Sequence, residues 1–207
     1  MEDSAFLPEL AIRSSDIPDV PRHSTVVRIT HWINTLSFFG LLVSGIAILL
    51  AHPRLYWGET GSVGTPSLVD LPLPFVLVGQ SGWGRYLNFL AAWVCVLNGS
   101  IYVLSGLARH SPAYNVLQRL TYSVVVFILV PLMIWTGLAM SPAITSVFPA
   151  LVTVFGGQQS ARTIHFFVTI FLVLFVVVHI VMVCRAGFRN GVRGMITSHG
   201  GPGREHA

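Results

Sequence analysis

Lysine is missing from the 207 residues, and all twelve basic side chains are Arg. Charge of either sign is scarce, at 10% of the chain, where a soluble domain carries about 25%. A soluble chain of this length could not cover its surface with so few charges, so it reads as an integral membrane protein. Carboxylates are scarcer still. The eight Asp and Glu leave two long gaps, from Asp19 to Glu59 and from Asp70 to Glu205. The membrane part therefore holds no carboxylate, which excludes paired-carboxylate hydrolysis and carboxylate proton relays inside the bilayer. Cysteine is limited to Cys95 and Cys184, without a CxxC pair. They read as buried thiols rather than a disulfide framework. The stretch Met1 to Arg22 is polar and acidic and lacks the basic start and apolar core of a signal peptide. The net charge of +4 does not mark a nucleic-acid surface, because the Arg residues sit singly at the ends of apolar runs. They read as membrane-edge anchors among lipid.

What is present is apolar length. Hydrophobic residues make up 53% of the chain. Four charge-free runs are long enough to span, at about 29–51, 86–108, 120–140 and 163–184, since about 20 apolar residues cross the hydrocarbon core. The expected organisation is a polar tail over 1–22, an all-α bundle of four transmembrane helices over 23–190, and a tail over 191–207. Pro131 predicts a kink in the third helix. Leu71–Val78 and Ala143–Phe155 are short and broken by proline, so they read as loops or interfacial caps. Arg13, Arg22, Arg28, Arg109, Arg119, Arg185, Arg189, Arg193 and Arg204 would fall on one side, and Arg54, Arg85 and Arg162 on the other. The positive-inside rule then places both termini in the cytoplasm.

Three histidines, His31, His165 and His179, sit at membrane depth, where ionisable side chains are costly and usually functional. His165 and His179 are 14 residues apart on the fourth helix. That separation is about 40° short of four full turns and roughly 21 Å along the axis. Such a spacing is wrong for one metal ion and fits two sites stacked across the membrane. His31 opens the first helix at the depth of His179. Neutral imidazole is a strong axial ligand for haem iron, and facing helices of a bundle can supply such a pair.

Arg28-x-x-His31, Arg85-x-x-Asn88 and Arg162-x-x-His165 each place an Arg one turn toward water, and Arg119-x-x-Tyr122 follows the same frame. Each Arg can meet an anionic haem propionate or simply snorkel. Gly45 lies 14 residues after His31, on the same face. It either leaves room for a flat macrocycle or packs helix on helix. Opposite His165 the second helix carries Asn88, and an amide is a poor iron ligand. His52 and Met140 are possible substitutes. His23, His110, His199 and His206 read as solvated or interfacial, as does His52 in the bland reading.

At these residues the chain resembles the bacterial cytochrome b561 family, which includes the cytochrome b subunits of nickel–iron hydrogenases, formate dehydrogenases and thiosulfate reductases. The likeness rests on Arg22-His-Ser-Thr-Val-Val-Arg-Ile-Thr-His31-Trp and His52-Pro-Arg-Leu-Tyr-Trp-Gly58-Glu. Gly84-Arg-Tyr-Leu-Asn88-Phe, Tyr114-Asn-Val-Leu-Gln-Arg119 and Ala161-Arg-Thr-Ile-His165 extend it, with His179 following. It covers about residues 20 to 190. The resemblance implies a multi-pass inner-membrane electron carrier of a respiratory chain, holding two b haems and linked to quinone. His31 and His179 would ligate the cytoplasmic haem iron, and His165 with the second-helix position the periplasmic one. The family pattern there is Gly-Arg-x-x-His-Phe, and Asn88 departs from it. The partner implied is a periplasmic oxidoreductase of hydrogenase or molybdenum type, and the Tyr-Trp-Gly loop resembles the molybdenum branch most.

Two other readings stand beside this one. Asn88 allows a single-haem variant that acts as a membrane anchor or an outer-face reductase. A histidine-lined metal transporter is a third, and it predicts a protein without haem absorbance.

Overall fold

A computed structural model of the chain describes residues 24–61, 64–72, 81–107, 116–185 and 187–197. The apolar runs all lie on helices. Helix α1 covers Thr25–Ala51, followed by β1 (Arg54–Leu55) and β2 (Val69–Asp70), and α2 covers Ser81–Leu107. The third membrane helix is α3 (Val116–Val124), a π-helical segment (Val125–Leu129) and α4 (Val130–Ala139). Short helices α5 (Pro142–Thr145) and α6 (Ala150–Thr153) lead to α7 (Gln158–Arg185) and α8 (Phe188–Thr197). Among the described residues, four helices are long and apolar enough to cross a membrane: Thr25–Ala51, Gly82–Leu104, Leu120–Ala139 and Gln158–Arg185.

Each helix begins four or five residues before its apolar run. The run stops at the first Arg, whereas the helix continues past it, because the Arg stem lies along the helix while its charge reaches water. Ser24 supplies the start of α1, its Oγ accepting from the Val27 N–H at 3.4 Å. Pro131 acts through a π turn just before it. The Val130 N–H bonds the Val125 carbonyl, one residue further back than in an α-helix. Pro131 has no N–H to give and its ring crowds the preceding turn, so the wider turn absorbs the misfit.

The packing is that of a membrane protein. The buried polar residues are Thr30, Ser37, Ser44, Asn98, Thr136, Ser160 and Thr163, while Leu36, Phe127, Phe171, Leu174 and Val177 face outward. Small and hydroxyl side chains let helices approach in lipid, and large apolar ones meet the acyl chains. The cysteines depart from the buried reading. Cys95 is half-buried and Cys184 is exposed, on a helix face where lipid costs a thiol little.

Helix α1 lies along α2, and the π segment and α4 lie along α7. Among the described residues α1 and α7 do not pack along each other. The hairpin side, here the loop end, holds β1 and β2 paired antiparallel, with Arg54 opposite Asp70 and their side chains 3.2 Å apart in the open. Helices α5 and α6 fill the Ala143–Phe155 stretch expected as a cap. Most of the other expected cap lies outside the described residues. At the opposite, terminal end the chain turns at Gly187, whose φ of 105° is a glycine conformation, and α8 returns to the start of α1.

Candidate functional site

At the terminal end, His31 is half-buried on α1. Its ring meets Trp32 edge-on with centroids 5.7 Å apart. His179 is half-buried on α7 and stacks on Phe175 at 6.2 Å, which in turn meets Tyr122 edge-on at 5.9 Å. The phenylalanine four residues earlier shares the His179 face and steadies the ring. One residue before His31, the Thr30 carbonyl accepts from the buried Asn98 amide at 2.7 Å. That bond ties α2 to α1 beside the histidine.

Arg28 is committed to α8. Its Nε donates to the Met195 carbonyl at 3.2 Å, its Nη2 donates to the Ile196 carbonyl, and Trp32 Nε1 donates to Met195 at 3.3 Å. Carbonyls in a helix's last turn have no partner within the helix, so a guanidinium is a natural cap. The five donors of Arg leave capacity for a second anionic group.

At the loop end, His165 Nδ1 lies 2.9 Å from Thr136 Oγ1, and Gly137 faces the same ring. A Cβ added at Gly137 would stand 3.6 Å from His165 Cε1, so α4 comes close to the imidazole without a side chain between. Asn88 is turned into the α1–α2 seam. Its Nδ2 donates to Ser44 Oγ at 3.1 Å, and that hydroxyl donates to the Gly40 carbonyl at 2.7 Å.

The glycines separate the two readings of Gly45. Gly40 and Gly84 are the packing glycines of the seam: a Cβ at Gly40 would meet Ala91 at 3.4 Å, and one at Gly84 would meet the Ser44 carbonyl at 3.4 Å. Among the described residues, nothing lies within 4 Å of such a Cβ at Gly45. Gly45 faces open space on the His31 side of α1, which suits a flat ring against the backbone and does not suit helix-on-helix packing.

Among the described residues, the bonds that pin the two helix pairs together lie near their ends. At the loop end Arg162 donates to the His52 carbonyl, Thr163 Oγ1 to the Tyr56 carbonyl at 2.6 Å, and the Gly58 N–H to Ser160 Oγ at 2.7 Å. The Gly58 carbonyl accepts from Gln159 at 3.0 Å and so caps α7 in place of a side chain. Arg162 is thus engaged with the loop, while Arg85 is exposed. The His52 ring is held below its usual pKa, first by burial and then by the positive charges of Arg162 and Arg85. Met140 caps α4, its N–H bonding the Thr136 and Gly137 carbonyls at 3.2 Å. The Arg119 side chain lies outside the described residues. Among those described, no three His, Cys, Asp or Glu side chains come together.

A family model for prokaryotic cytochrome b561 matches residues 22–198. The chain belongs to the prokaryotic cytochrome b561 family. It is a multi-pass bacterial inner-membrane protein of the b-type haem class, and its four long helices fit that membership. Among curated relatives it is similar to YedZ1 of Azospira oryzae, provisionally named a protein-methionine-sulfoxide reductase subunit. The two are 27% identical over 196 residues, covering 78% of this chain and 89% of the relative. No solved structure matches the chain.

The family match reaches 198 and so takes in α8, which lies in the stretch expected as a tail. The residues of this cytochrome that fit haem b are the imidazoles of His31, His165 and His179 and the open backbone at Gly45. Sequence reasoning missed Thr136, Ser44, Asn98 and the Tyr56–Gly58 latch. Asn98 carried a signal, being an amide deep in an apolar run. Thr136 carried almost none, because a helical hydroxyl can satisfy itself on its own carbonyl.

Proposed function

We propose that this cytochrome carries electrons on haem b between a periplasmic oxidoreductase subunit and the membrane quinone pool. His31 and His179 would hold one haem at the terminal end, through their imidazole nitrogens. His165 is the protein ligand of a second at the loop end. Gly45 gives the backbone clearance for the macrocycle, and Arg28, Arg85 and Arg162 mark the two charged rims where propionates would lie. Haem b, when bound, supplies a one-electron couple whose potential follows its ligands and burial. The chain's own part is to hold neutral imidazoles, exclude water and insulate the path with aliphatic side chains.

One observation carries this reading. The histidines belong to two helix pairs, α1 with α2 and α4 with α7, which among the described residues are pinned near their ends and do not pack along each other between. The Arg distribution, nine against three, favours a cytoplasmic terminal end and a periplasmic loop end. The relative's name favours a partner that reduces a substrate with electrons delivered from the membrane.

Purified protein tests the reading by pyridine haemochrome and redox titration. His31→Ala and His179→Ala should each remove the same haem, and His165→Ala a different one. Full haem content in any of the three would overturn its assignment. A second reading, one haem per chain, is favoured by the Asn88–Ser44 bond, which keeps that amide in the seam. One haem in the parent, unaffected by His165→Ala, would establish it.

A further inference from the structure

We infer that Thr136 is the positioning residue of the loop-end site: its hydroxyl fixes the His165 tautomer that leaves Nε2 free to bind iron. The inference rests on the haem reading of His165 and adds the residue that prepares it.

The hydrogen bonds around Thr136 fix where each proton lies. Thr136 Oγ1 lies 2.7 Å from the Leu132 carbonyl and 3.1 Å from the Met133 carbonyl. A carbonyl oxygen carries no proton, so an oxygen–oxygen separation of 2.7 Å needs the hydroxyl hydrogen between them. That hydrogen is therefore spent on the helix. The same oxygen lies 2.9 Å from His165 Nδ1, and that contact needs a second proton, which only the ring can supply. Nδ1 is thus the protonated nitrogen, and in a neutral imidazole Nε2 then carries the lone pair.

The surroundings make this a built arrangement. Thr136 is fully buried, at 0% exposure, so water does not compete for its oxygen. Pro131 lies five residues earlier on the same helix, and the π segment about two to three turns earlier. Gly137 lies beside the ring, where an added Cβ would stand 3.6 Å from His165 Cε1. Thr169, one turn after His165, donates to the His165 carbonyl at 2.8 Å and is occupied there. Partners of this kind orient a ligating histidine and raise its basicity, and losing one typically costs about 10–100-fold in metal affinity.

The test uses full-length protein in lipid, with Thr136→Val and Thr136→Ser beside His165→Ala. Valine keeps the shape and removes the oxygen, and serine restores it. In haem-depleted protein with 15N-labelled histidine, the parent and Thr136→Ser should show His165 protonated at Nδ1, and Thr136→Val should lose that preference. In haem-loaded protein, Thr136→Val should weaken loop-end haem retention about 10–100-fold and shift that haem's midpoint potential, with serine returning both. A Thr136→Val protein with unchanged tautomer, retention and potential overturns the inference while leaving the haem reading intact. Unchanged haem content in His165→Ala overturns the haem reading itself. If Thr136→Val fails to fold, an Nε2-protonated His165 in the haem-depleted parent still refutes the inference.

Discussion

The loop end and the terminal end of this cytochrome are held in different ways. The loop end is a knot of backbone. The Gly58 carbonyl caps α7, Thr163 and Arg162 bind the carbonyls of Tyr56 and His52, and Leu55 is sealed at 1% exposure. The terminal end is held by side chains reaching across, with Arg28 and Trp32 on the last carbonyls of α8 and Phe175 against His179. The difference follows from water. A loop that folds over helix ends must satisfy its own peptide groups, so it becomes rigid. Long side chains at the other end can exchange those bonds for solvent.

The two ends also differ in what surrounds their histidines. In the sequence, the terminal-end pair looks complete and the loop-end site damaged by Asn88. In the structure His165 has the hydrogen-bonded support, while among the described residues the His179 ring has only aromatic contact. Asn88 acts as a rivet between helices. Its bond to Ser44 at the loop end matches the Asn98 bond to Thr30 at the terminal end, and together they close the α1–α2 seam.

The contrast is broken most severely at Gly157. Its φ is 130°, and a Cβ there would lie 2.3 Å from the Gly58 carbonyl carbon. Gly157→Ala should cost about 3 kcal/mol or more and open the loop to protease, seen as lower resistance to heat in detergent. Arg28→Ala, at the other end, should cost far less and leave the loop protected. Gly45→Leu comes next and separates fold from cofactor. With no neighbour within 4 Å of its Cβ, the haem-free protein should unfold at the parent temperature. Haem retention should fall if a macrocycle lies there, and parent-like retention would remove Gly45 from the site.

The rivets predict a smaller effect. Asn88→Ala and Asn98→Ala should each cost about 0.6 kcal/mol, and additively, since they sit at opposite ends of the seam. A much larger loss for Asn88 alone would mean that its amide does more than close the seam. The smallest effect is that of His52. Its folded pKa lies below the ordinary 6.5, so between those two values the unfolded chain binds the extra proton. Stability should therefore be full above pH 6.5 and fall as pH drops through that window. A thermal-unfolding series in pH should show this slope in the parent and lose it in His52→Gln.

Class, span number and histidine spacing were legible in the sequence, because hydropathy and helical period are properties of a single segment. The absence of Lys and of membrane carboxylates, four apolar runs and the 14-residue interval from His165 to His179 needed no neighbour to interpret. Helices α1 and α7 extend past the Arg that bounds each apolar run, because an Arg marks where charge begins and not where a helix ends. The partners of each residue were decided only by tertiary structure. Thr136 meets His165 across 29 positions, Asn88 meets Ser44 across 44, and Gly58 meets Ser160 across 102. Such contacts depend on how far one helix is rotated and shifted against another. Here that register is set by a π turn before Pro131, by the packing glycines Gly40 and Gly84, and by a loop carbonyl that caps α7.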